Sequence, residues 1–103
     1  MTKAEAIAKL DRLDVLAAHM ATRPVTEWDA ICDEALAIVR EIDDGSAGAG
    51  WATAVTVGER IRDAGHYFQQ LAGRFTGPLP RNRTLDELRA KIGLVRASWG
   101  TID

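Results

Sequence analysis

Residues 58–75 read "GERIRDAGHYFQQLAGRF". The segment has the pattern of an amphipathic helix in which Gly58, Gly65 and Ala72 recur every seven residues. Ile61, Phe68 and Phe75 run beside them at the same spacing. A glycine inside a helix costs about 1 kcal/mol relative to alanine, so two on one stripe need a reason. Small residues lower the helix surface so that a neighbouring helix can come close, and the large ones fill the space on either side. A buried large apolar side chain contributes about 1.5–3 kcal/mol, which offsets the propensity cost. The pattern therefore predicts close helix packing at Gly58, Gly65 and Ala72, along the central helix of an all-α protein. If the facing surface belonged to a second chain, the same seam would make a structural homodimer.

This helix is expected to span about 51–73, with Thr56 and Glu59 offering a competing start. The first helix, 3–22, opens with Thr2 and Glu5 in capping-box spacing. It carries Ala6, Leu10, Leu13, Ala17 and Met20 at alternating steps of four and three, widened by Ile7 and Leu16. Arg23-Pro24 ends it, because the residue before proline is pushed out of the α region. A second helix, 27–44, follows the weaker box of Thr26 and Asp29. Its stripe is Trp28, Ile31, Ala35, Ile38 and Ile42, flanked by Cys32, Leu36 and Val39, and Gly45 is its expected stop. "DDGSAGAG" (43–50) has turn composition. Prolines 78 and 80 interrupt the chain before a fourth helix, 85–99, capped by Thr84 and Glu87. This helix buries Leu85, Leu88, Ile92, Val95 and Trp99 and stops at Gly100. The sum is an all-α fold: one compact antiparallel four-helix bundle over residues 1–103.

Composition narrows the function. The chain of 103 residues is 47% hydrophobic and 27% charged, the balance of an ordinary soluble domain. One cysteine allows no internal disulfide, and Lys3, Glu5 and Lys9 interrupt any leader-like apolar run. The longest uncharged stretch, 45–58, is too short and glycine-rich to span a bilayer. A cytoplasmic protein with no membrane association is expected.

Catalytic and cofactor motifs are not met. Ser46 and Ser98 lie outside any nucleophile elbow, and Cys32 falls on an apolar stripe. Asp63 and His66 have the spacing of half a di-iron motif, but Leu16 stands where His19 would need its carboxylate, so no metal site is expected. Gly48-Ala49-Gly50 has neither the strand nor the Gly-Lys-Ser/Thr ending of a phosphate loop. No cofactor is expected, and the chain is read as non-enzymatic.

Charge is divided unevenly. Residues 1–73 carry 7 basic and 12 acidic groups, whereas residues 74–103 carry 6 basic and 3 acidic. Glu27, Asp29, Asp33, Glu34, Glu41 and Asp44 project opposite the apolar stripe of the second helix, forming an acidic face able to meet a basic partner. Asp43 and Asp44 sit at the negative end of that helix, a small cost that solubility does not explain. Arg74, Arg81, Arg83, Arg89, Lys91 and Arg96 form an alternative basic patch, able to meet phosphate or an acidic partner, or to lie against the acidic second helix. With little aromatic interleaving, direct nucleic-acid binding is the lesser expectation. The expected function is an inhibitor or adaptor, in the manner of small phage and mobile-element proteins, engaging a protein or nucleoprotein complex through the acidic face.

Overall fold

A threonine hydroxyl starts the first helix. Thr2 Oγ1 accepts from the Glu5 amide at 3.2 Å, and α1 runs Lys3–Thr22 before Arg23 turns extended ahead of Pro24. The computed structural model describes residues 1–99, the Trp99 side chain excepted. A 3-10 turn at Val25–Glu27 leads into α2, Trp28–Gly48, followed by α3, Ala54–Leu71, and α4, Arg81–Trp99. Among the described residues there is no strand.

Cross-links fix the directions. Lys9 and Arg12 of α1 reach Glu41 and Glu34 of α2, so advance along one helix is retreat along the other. Asp63 and Gln70 of α3 meet Lys91 and Thr84 of α4 in the same reversed order. Asp14 and Met20 of α1 meet Arg96 and Arg81 of α4 likewise. α1 packs on α2 and α4, and α3 packs on the same two, which closes an antiparallel four-helix bundle. Its core is the set of predicted stripes. Ala6, Leu10, Leu13, Ala17 and Met20 are fully buried, as are Cys32, Ala35, Ile42, Ile61, Phe68, Leu88 and Val95. Trp28, Leu36, Ile38 and Leu85 pack half-buried at its margin.

The small-residue seam lies inside the chain. Gly58 and Gly65 are buried against α2. A Cβ on Gly65 would touch Leu36 and Val39 at 3.4 Å, whereas one on Gly58 would meet Asp43 Oδ1 at 2.6 Å. Gly58 thus makes room for a carboxylate. That carboxylate also accepts from Arg62 Nη1 at 2.9 Å. Because α2 runs on to Gly48, Asp43 lies more than a turn short of its negative end, and its charge is met by the next helix. Ala72 is only half-buried, as the C-cap of α3. Phe75, expected in the core, is 40% exposed, because it follows the end of the helix and lies edge-on to His66 at 6.2 Å.

Helix ends depart most from expectation. α2 continues through Gly45 to Gly48, so "DDGSAGAG" is mostly helical. Gly45 lies against Met1, and Ser46 is buried with its hydroxyl donating to the Asp43 carbonyl. The stop is Gly50, at φ +68°, with Gly50 N–H bonding Ala47 O and Trp51 N–H bonding Ser46 O. Gly73, at φ +78°, closes α3 by the same pattern onto Gln70 and Gln69. α3 opens at Ala54, later than expected, and Thr26 supplies no cap to α2, because the 3-10 turn intervenes. Gly100, read as the stop of α4, lies outside the described residues, as does the Trp99 side chain.

α4 begins a turn before the Thr84 capping box. Thr84 is inside the helix and fully buried, its hydroxyl turned back to Pro80 O at 3.0 Å and accepting from Gln70 Nε2 at 2.8 Å. Arg81 explains the early start. Its guanidinium donates to Leu71 O at 3.0 Å and to Met20 O, and stacks over the Trp28 ring 3.8 Å from the centroid. It thereby satisfies terminal carbonyls of α1 and α3 while covering the first residue of α2.

Replacing Arg81 by Gln is expected to lower the unfolding free energy by about 2–3 kcal/mol, through loss of the carbonyl bonds and the stacked cation. Gly93 is exposed on α4, and a methyl group added there would meet no neighbouring atom within 4 Å. Gly93→Ala should raise the unfolding free energy by about 0.5–1 kcal/mol. Urea unfolding monitored by circular dichroism measures both.

Candidate functional site

The outer side of α2 is exposed at Ala30, Asp33, Glu34, Ala37, Arg40, Glu41 and Asp44. Short alanines between the carboxylates keep this surface low. The acids divide to left and right. Toward α1, Glu34 accepts from Arg12 Nε at 2.5 Å and Glu41 accepts from Lys9 at 2.5 Å. Toward the end of α3, Arg74 bridges Asp29 at 3.3 Å and Asp33 at 2.6 Å. Asp29 and Asp33 side chains nevertheless stay 80% and 70% exposed. Glu27 and Asp44 are exposed and make no ion pair among the described residues. Five of the six predicted acids therefore lie on α2, with Glu27 in the 3-10 turn before it, and four of the six are held by neighbouring cations.

Hydrogen bonding by the Arg12 guanidinium holds the Glu34 carboxyl below the usual carboxylate range. Both groups are solvent-exposed, so the pair orients the side chain more than it stabilises the fold.

The predicted basic patch is dispersed. Arg74 is engaged with Asp29 and Asp33, and Arg81 with backbone carbonyls. Lys91 faces Asp63 of α3 at 3.5 Å, and Arg96 pairs with Asp11 and Asp14 of α1. Arg83 and Arg89 are exposed without an ion pair among the described residues. The expectation that the basic final helix lies against the acidic second one is overturned. α4 sits between α1 and α3; of the predicted patch, Arg74, in the connecting loop, pairs with acids of α2, and Arg81 touches α2 through the Trp28 ring.

Sequence reading missed a groove between α2 and α3, with a volume of about 280 Å³. Its floor is Leu36, Val39 and Gly65, and Arg40, Arg62, His66 and Gln69 stand around it. Arg40 had a signal in the sequence, as the one cation within α2. The facing groups on α3 had none, because the register between the helices is not written in either alone. Among the described residues no three His, Cys, Asp or Glu side chains lie close enough together to hold a metal ion. Gly48-Ala49-Gly50 closes a helix C-terminus, where carbonyls point outward, the wrong polarity for an anion. Cys32 is buried and its thiol is pushed up by desolvation, a setting that disfavours the thiolate.

No helix among the described residues is long and apolar enough to cross a membrane. Comparison with known proteins finds no matching family model, no matching curated protein and no matching solved structure.

The depressed titration of Glu34 carries a sign. The pair contributes fully above the ordinary carboxylate range, and its contribution is lost as pH falls through the folded-state value. Carboxyl-detected NMR is expected to place the Glu34 midpoint below the ordinary value and to return it upward in Arg12→Gln.

Proposed function

We propose that this chain is a binding protein, an inhibitor or adaptor, that engages a basic surface on a protein or nucleoprotein partner through the outer side of α2. The observation that carries the reading is the row of exposed carboxylates from Asp33 to Asp44, with only alanine and Arg40 among them. The eleven helical steps from Asp33 to Asp44 extend this row over about 16 Å, the scale of a helix-sized contact. Alanines 30 and 37 leave relief low enough for a partner's backbone or long basic side chains to lie close. Arg12, Lys9 and Arg74 hold four of the acids in place, which reduces the side-chain freedom lost on binding. Exposed pairs of this kind are weak, so an incoming cation competes for them at small cost.

Two observations set the alternatives behind this reading. The glycine seam that would make a homodimer is filled by α2 of the same chain. The arginines that would hold a nucleic-acid backbone are largely engaged with carboxylates and carbonyls.

The test compares the native chain with a triple variant, Asp33→Asn, Glu41→Gln and Asp44→Asn, as bait in lysate of the cells that encode it. The expected outcome is a partner that elutes with rising salt and whose affinity falls at least tenfold in the variant. Undiminished capture by a variant with unchanged circular dichroism would reject the α2 surface.

A further inference from the structure

The groove between α2 and α3 has features that the acidic row does not use. We propose that it is a binding site for a small organic monoanion: a carboxylate attached to a compact apolar body. The floor of Leu36, Val39 and Gly65 offers apolar contact. One wall, from α2, supplies Arg40, which has no hydrogen bond or ion pair among the described residues. The opposite wall, from α3, supplies Arg62, His66 and Gln69. Arg62 uses a single nitrogen, Nη1, for both bonds to Asp43, at 3.1 and 2.9 Å, so its Nε and Nη2 remain available. The His66 ring meets Phe75 edge-on, and among the described residues no hydrogen bond holds it or the Gln69 side chain. Donors on two walls thus surround an apolar floor, the combination that binds an amphiphilic anion: guanidinium takes the carboxylate while the hydrocarbon leaves water.

Charge narrows the ligand further. Asp43 lines the same groove at its Gly58 side, so a dianion such as inorganic phosphate meets repulsion that a monoanion can avoid by turning its body toward that side. The volume of about 280 Å³ suits a body of six or so carbons rather than a nucleotide. Gly65 fits this role. Alanine there would meet Leu36 and Val39 at 3.4 Å, the near edge of ordinary contact, so the space between the helices just admits a methyl group. A methyl group at 65 would raise the floor and still improve helix propensity. The site is separate from the acidic row in chemistry, and binding there stands or falls independently of any macromolecular partner.

The experiment is an amide-detected NMR titration of the full chain with hexanoate and with benzoate at constant ionic strength. Hexylamine and inorganic phosphate are run as controls. Saturable shifts are expected at residues 36–43 and 62–69 with the two carboxylates. Arg40→Gln should weaken binding roughly tenfold. Gly65→Ala should weaken it several-fold while the melting temperature holds or rises. The proposal is overturned by any of three results: no saturable shift in the groove, equal shifts from hexylamine or phosphate, or unchanged affinity in Arg40→Gln. If Gly65→Ala melts lower than the native chain, the glycine serves packing; binding that survives Arg40→Gln then still overturns the site.

Discussion

One guanidinium holds together the end of the bundle where α1 and α3 finish and α2 and α4 begin. In an antiparallel arrangement the C-termini of two helices fall side by side, each leaving carbonyls without intrahelical partners. Arg81 donates to one carbonyl from each, Met20 and Leu71, and lies flat on Trp28. Trp28 is itself tied back, its indole N–H donating to Arg23 O at 2.9 Å. A cation at the first position of α4 is unfavourable for that helix alone, but it answers the negative ends of two neighbours. The loop before it, with Pro78 and Pro80, is closed by Gln70, which donates to Leu79 O at 2.7 Å and to the Thr84 hydroxyl. Much of the order at this end follows from that arrangement.

The interior was legible in the sequence because burial follows helical periodicity. Leu10, Leu13, Met20, Ile61, Phe68, Leu88 and Val95 could be placed from spacing alone, and all are fully buried. Helix termini were less legible, because they are decided by contacts between elements. Thr84 has the right neighbours for a cap, but Arg81 and Gln70 draw the helix start back by a turn. Gly45 has the right residue type for a stop, but Met1 packs on it and the chain stays helical until a left-handed backbone is reached at Gly50. Thr2 and Pro24 gave the bounds of α1 correctly, since both act through bonds no more than a few residues away.

Charge shows the same division. The acidic concentration on α2 is real in sequence and in space, but the opposing basic block does not exist as a surface. Arg96 serves α1, Lys91 serves α3, Arg81 serves the backbone and Arg74 crosses to α2. Linear clustering reported where the cations lie along the chain, and the bundle's ring of neighbours distributed them. The groove was illegible for a related reason: Arg40 and His66 stand far apart in sequence, and only the register of α2 on α3 brings them to one recess.

The carboxylate of Asp43 occupying the space above Gly58 ties two distant positions into a single unit of inheritance. A side chain gained at 58 would meet the Asp43 carboxylate at 2.6 Å, so either that carboxylate swings aside, disturbing its bond from Arg62, or residue 43 shortens. Descendants that gain a side chain at 58 are therefore expected to weaken the 43–62 pair as well. Such paired replacement would be a signature by which distant members of the lineage betray a shared helix register.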